Sequence, residues 1–144
     1  MINMFKDRKK NEINDKDFLS KVKVASLLIH AAKIDEIYTD EEREIIKKTL
    51  IKLGAENLEI DKIISEAIIS EKNSNQILDF TREIKNTSES DKIKIIEALW
   101  EIIFSNKKVD MYESNLMRRL AGLLYIDNKT MGDIKEKVKR ELSK

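Results

Sequence analysis

Asp35-Glu36-Ile37-Tyr38-Thr39-Asp40-Glu41-Glu42 and Asn106-Lys107-Lys108-Val109-Asp110-Met111-Tyr112-Glu113 are two imperfect copies of one phrase, 71 positions apart (106 against 35). In each, an apolar stretch with helical spacing runs into a few polar residues, then one residue of the kind that is usually buried, then a helix-capping residue and an acid. The polar residue that opens each copy stands seven positions before the closing Glu (35 to 42, 106 to 113). The same shift lays Leu28 on Leu99, Tyr38 on Val109, Ile46 on Met117 and Leu53 on Leu124. A match that covers helix, loop, cap and helix predicts a duplicated helical hairpin. The two hairpins, at about 17–54 and 88–125, would pack face to face about a pseudo-twofold axis.

Outward from these phrases the pattern is helical throughout. Phe18, Val22, Ala25, Leu28, Ile29 and Ala32 recur at three- and four-residue intervals, which predicts a first helix from Asp17 to near Asp35. Thr39 and Glu42 form a capping-box pair opening a second helix with Ile45, Ile46, Leu50 and Leu53 inside, stopped by Gly54. A third helix is predicted over 57–70, burying Leu58, Ile60, Ile63, Ile64, Ala67 and Ile68. Ser74 would cap a short fourth helix carrying Ile77, Leu78, Phe80 and Ile84. Residues 86–90 read as a linker into an apolar fifth helix from Ile93 to Phe104. Asp110 would cap a sixth helix with Leu116, Met117, Leu120, Leu123 and Leu124. A seventh, about 128–142, has a thin stripe of Met131, Ile134, Val138 and Leu142, and is expected to be partly detached or to lie in a partner's groove. Residues 1–14 are mostly polar and are expected to form a flexible arm, leaving 15–144 as one all-α domain of about seven helices.

Composition removes several classes of function. There is no Cys and one His, so disulfides, thiolate chemistry and the usual zinc donor sets are absent. With 28 basic and 27 acidic residues there is no bulk field to gather nucleic acid or an anionic membrane. No apolar run approaches the ~20 residues of a membrane span, and the N-terminal stretch lacks the continuous apolar run of a signal peptide, so none is expected. A cytoplasmic protein is expected, with no nucleic-acid partner and no direct membrane insertion. Zero Pro and three Gly argue against sheet-and-turn folds. No nucleophile–base pair, Gly-rich phosphate loop or ligand cluster is present, so no catalytic residues are assigned and a non-enzymatic role is expected.

The two phrases with their flanking helices resemble the TerB-like family of tellurite-resistance proteins. Its members show an apolar helix, an Asp-Gly-x-(aliphatic)-x-x-x-Glu phrase and a second helix, repeated in two halves. The resemblance spans about 17–126. Asp35 and Glu42 fall on the first pair of acids, and Glu113 on the last acid of the second. It implies a compact helical bundle with a role in tellurite or general stress tolerance, and a divalent cation such as Ca²⁺ or Mg²⁺ on the acidic loops. Related domains serve as interaction modules, including in a co-chaperone. Glu36 and Lys107 stand where the family has Gly, and Asn106 stands for the second Asp, which tells against two equivalent metal sites.

Two readings of the acids follow. Asp35 and Glu42, with Glu36, Asp40 and Glu41 nearby, could begin the oxygen shell a hard cation needs. Alternatively, Glu42 is the reciprocal partner of a capping box and Asp35 bonds loop amides. An EF-hand is excluded, because counting from Asp35 puts Asp40 where Gly belongs and Ile46 where Glu belongs. No other cofactor is expected. If the acids only cap, the protein is an interaction module with an unknown protein partner. Its contact would be the last helix, through Ile134 and Val138, or an apolar groove; a homodimer is compatible with either. His30 is expected at the core boundary, Trp100 in the core or a subunit interface, and Arg118-Arg119 with Lys107-Lys108 on a solvated face or a basic patch.

Overall fold

The computed structural model describes residues 3–33, 39–73, 77–105 and 111–143, and their side chains except in 3–15 and 111–114. Among the described residues there are seven α-helices and no strand: α1 Asn3–Ala32, α2 Asp40–Lys52, α3 Asn57–Asn73, α4 Leu78–Lys85, α5 Glu89–Ser105, α6 Met111–Leu123 and α7 Asn128–Leu142. The predicted all-α fold class is what the chain adopts. α1 packs on α3 and α4, α5 on α7, and α2 on both α1 and α5, so α1 and α5 form the centre of the bundle. Both are lined on more than one side by fully buried residues, among them Leu27, Leu28 and Ile29 in α1 and Ile95, Ile96, Leu99 and Ile102 in α5. Each such side chain contributes about 1.5–3 kcal/mol on leaving water, and this outweighs the mediocre helix propensity of Ile.

The duplication reaches further than the two hairpins. α2 ends in a turn with Gly54 at φ 100°, and α6 ends in a turn with Tyr125 at φ 57°, again 71 positions apart. The hydrogen bonds repeat as well. The Ala55 amide donates to the Leu50 carbonyl at 2.9 Å, and the Ile126 amide to the Ala121 carbonyl at 2.9 Å. Leu53 N–H to Thr49 O at 3.0 Å is matched by Leu124 N–H to Leu120 O at 2.9 Å. The same shift lays the buried Ile60, Ile63 and Ala67 of α3 on the buried Met131, Ile134 and Val138 of α7. α3 seats against α1 as α7 seats against α5. The unit of repetition is therefore a whole helix triplet.

Several details differ from the sequence expectation. α1 begins at Asn3, inside the stretch expected to be a flexible arm; that stretch holds neither Pro nor Gly, so nothing in it stops a helix. Of residues 86–90 only 86–88 lie between helices, as a tight break, and Glu89 and Ser90 already belong to α5. The Thr87 hydroxyl donates to the Ile84 carbonyl at 2.7 Å to close α4, and the Ser88 hydroxyl accepts the Asp91 amide at 3.1 Å to open α5. Leu58 is not core; it is 94% exposed, because its i+3 and i+4 neighbours, Asp61 and Lys62, lie on the solvated face of α3. α7 is docked, with Ile134 and Val138 buried against the bundle, while Leu142 at its end is exposed. Ser74 and Asp110, the expected caps of α4 and α6, lie outside the described residues.

Candidate functional site

Thr39 and Glu42 make the expected capping box at the start of α2. The Glu42 amide donates to Thr39 Oγ1 at 3.1 Å, and Glu42 Oε1 accepts from the Thr39 amide and the Thr39 hydroxyl, each at 2.9 Å. Glu42 is wholly buried, and its second oxygen, Oε2, has no hydrogen-bond partner among the described residues. A buried carboxylate oxygen without a donor is costly, on the order of 1–3 kcal/mol or more for a charged group. Capping thus occupies one oxygen of this carboxylate, and the other meets no donor among the described residues. Asp35 lies outside the described residues. Glu113 stands in α6, its side chain likewise outside them. Among the described residues no three His, Cys, Asp or Glu side chains gather as a metal-ligand group. Asp40 and Glu41, the neighbours of Glu42, are exposed.

The helix ends that flank the two phrases face one groove. Glu41, Glu44 and Ile45 at the start of α2 and Phe104 and Ser105 at the end of α5 line it, together with Ile51, Asp61 and Leu142, around a volume of about 850 Å³. Ile51 and Leu142 are 50% and 54% exposed there. Two basic residues, Lys47 and Lys48, share the wall with the acids Glu41, Glu44, Asp61 and Glu101. Four carboxylates against two ammonium groups leave the lining net acidic, which suits a cation better than an anion.

The other singled-out residues fall as follows. His30 sits at the boundary of the core, its Nδ1 3.3 Å from Glu71 Oε1, while Lys33 Nζ lies 2.9 Å from Glu71 Oε2. That cluster ties α1 to α3. Trp100 is buried at 5% exposure and stacks on Phe104, ring centroids 5.7 Å apart. Its indole Nε1 also lacks a hydrogen-bond partner among the described residues. Arg118 and Arg119 are both exposed on α6, and Lys107-Lys108 lie outside the described residues. Sequence reasoning missed the two buried lysines, Lys21 and Lys92, which occupy equivalent positions of the repeat (92 against 21). Each reaches an acid on its own helix, Lys21 to Asp17 at 2.5 Å and Lys92 to Glu89 at 3.5 Å, with its aliphatic stem in the core. Their i,i+4 and i,i+3 acids were the available signal.

A duplicated helix triplet, with a buried carboxylate capping α2 at the close of the first phrase, defines a small all-helical bundle. Residues 21–136 match the family model described as tellurite resistance protein TerB. The chain belongs to the TerB family. Neither the curated proteins nor the solved structures contain a match to it. Among the described residues no helix is long and apolar enough to cross a membrane.

Proposed function

We propose that this TerB-family protein acts without catalysis, in the cytoplasm, as a divalent-cation-binding component of tellurite or general stress tolerance. The observation that carries the cation reading is Oε2 of Glu42, a buried acceptor with no hydrogen-bond partner among the described residues, on the residue seven positions after Asp35. Capping and ligation are compatible here because they use different oxygens of one carboxylate. Glu42 would supply one ligand oxygen and Asp35 a second. Ca²⁺ or Mg²⁺ would fill its remaining positions with backbone carbonyls and water. Glu113 stands at the equivalent place in the second copy, where Asn106 replaces the Asp and Lys107-Lys108 add positive charge, so a second site there is disfavoured.

A second reading, a protein-interaction module, is favoured by the groove with its exposed Ile51 and Leu142. Ile134 and Val138 cannot serve as its contacts, since both are buried against the bundle. Calorimetric titration of chelator-stripped protein with Ca²⁺, Mg²⁺ and Mn²⁺ separates the readings. Binding in the micromolar range, about −8 kcal/mol, that is lost in Asp35→Asn and in Glu42→Gln supports the cation site. Flat traces for the unmodified protein sink it and leave Glu42 as a cap only.

A further inference from the structure

The groove along α2, α3 and the end of α5 has no equivalent in the other half of the repeat. In the first copy His30, Lys33 and Glu71 close the end of α1 against α3 with an ion cluster. The 71-position shift lays these three on Glu101, Phe104 and Leu142, which line the groove instead. Two charged groups have become apolar there, and Leu142 is left 54% exposed, with Ile51, 50% exposed, lining the same groove. Ile51 itself falls on Gly122, so this apolar lining belongs to one half of the molecule alone. Around it Glu41, Glu44, Asp61 and Glu101 stand against the ammonium groups of Lys47 and Lys48. Such a lining suits an occupant that is both apolar and cationic.

The chain carries a stretch of that chemistry. Met1-Ile2-Asn3-Met4-Phe5-Lys6-Asp7-Arg8-Lys9-Lys10 sets four cations against one acid, in a sequence that is otherwise balanced, and puts four large apolar residues before them. It cannot take a seat of the kind α4 uses, because Lys6, Lys9 and Lys10 stand where α4 has the buried Phe80, Thr81 and Ile77 among its seating residues. Nor does it reach the groove of its own chain. Thr87 and Asp91 at the start of α5, and Leu53 just past α2, share a pocket with Asp17, Lys21 and Val24 of α1. The groove extends to the opposite ends of both helices, at Phe104 and Glu41. α1 continues unbroken from Asp17 back to Asn3. Residues 3–10 therefore stand about 10–21 Å beyond that pocket, on the side away from Glu41 and Phe104.

We propose that the groove receives residues 1–10 of a second copy of this chain. The cations of the stretch would neutralise the groove's carboxylates, and its apolar residues would cover Ile51, Phe104 and Leu142. A pair of copies exchanges two such contacts, and the second forms at the effective concentration that the first sets. This inference rests on the interaction reading of the groove and draws nothing from the cation loop.

Light scattering of the full chain against concentration tests it. The mass should rise from one chain toward two, with a dissociation constant on the order of tens of micromolar. Glu44→Lys with Asp61→Lys, both at exposed positions, should weaken association at least tenfold, and so should Lys9→Glu with Lys10→Glu. A chain carrying all four substitutions should recover it, because the charges then meet with their signs exchanged. Asp133→Lys, exposed on α7 and outside the groove, should leave it unchanged. Leu142→Ser alters no charge and should weaken it several-fold. A mass of one chain at every concentration, association indifferent to either charge pair, or no recovery in the fourfold variant overturns the exchange. Titration with a labelled lysine–leucine peptide then separates the two readings. Single chains that bind it, and lose it with Glu44→Lys and Asp61→Lys, have a groove for a foreign basic segment, so the exchange fails while the interaction reading stands. Where neither a second copy nor the peptide binds, both fail.

Discussion

At φ 57°, Tyr125 stands in the left-handed region that its repeat partner Gly54 enters at φ 100°. For an L-residue with a Cβ that region costs about 1–2 kcal/mol. Tyr125 is 71% exposed, and its ring meets Lys85 Nζ at 4.6 Å from the centroid, a contact of about 0.5–1 kcal/mol at an exposed site. Substitution to alanine therefore has different consequences in the two turns. Gly54→Ala adds the left-handed strain, although a Cβ there would touch nothing within 4 Å, and should destabilise by about 1–2 kcal/mol. Tyr125→Ala keeps a strain already present and loses only the cation contact, about 0.5–1 kcal/mol. Urea midpoints of the two variants check this; a larger loss at Tyr125 would contradict it. Gly54 was legible as a helix stop because glycine advertises the left-handed turn, whereas Tyr125 carries no such mark. In the same way the Thr39–Glu42 box was legible from spacing. That the other Glu42 oxygen would be buried without a donor among the described residues was not, because burial at that point is decided by the packing of the bundle around it.

Among the elements, α7 shows where periodicity succeeds and where it stops. Its stripe of Met131, Ile134 and Val138 and its bounds were readable, yet a thin stripe on a charged helix could not show that it docks on α5. Docking is held by burial of that stripe and by the Lys137–Glu97 contact of 2.9 Å between the two helices. Its first turn depends on Asp127, whose carboxylate accepts the Thr130 amide at 2.6 Å. That backbone hydrogen bond, with a side-chain contribution from Thr130, holds the Asp127 pKa below its ordinary 3.8. A folded pKa below the unfolded one means the stabilisation is fully present above 3.8 and is lost as pH falls through the folded value. Asp127→Asn retains a good capping group without the charge. The stability advantage of the unsubstituted protein over Asp127→Asn should thus be constant above about pH 5 and shrink as urea unfolding is repeated toward pH 3. An advantage that grows on acidification would contradict the assignment.

Across the whole molecule the 71-residue shift lays α2 and α3 on α6 and α7, while the helices that lead into them differ. α1 runs unbroken from Asn3 to Ala32, whereas its counterpart is cut at residues 86–88 into α4 and α5. The buried face of α4, Ile77, Phe80, Thr81 and Ile84, corresponds to Lys6, Lys9, Lys10 and Ile13 in the first unit. Apolar side chains give α4 a reason to fold back onto α1 and α6; three lysines give the first unit none. The loop phrases revealed the duplication, but its extension into the leading helix was hidden, because only one position of this face stayed apolar.

That break has a consequence for how copies of the chain meet. A bent and a straight form of the same leading helix differ by three residues, Asn86-Thr87-Ser88, whose side chains make the hydrogen bonds that end α4 and start α5. Replacing all three with alanine removes those caps and offers strong helix formers in their place. Helix continued through the hinge would carry α4 away from its own α1 and α6, emptying the seat of Ile77, Phe80 and Ile84. The α4 of a second molecule fits that seat by construction, so the triple variant should exchange arms and populate a swapped dimer in proportion to concentration. Light scattering of the variant beside the unsubstituted chain would register the shift in mass, and an unchanged mass would show that the bend is dictated by the buried face of α4 and not by its hinge.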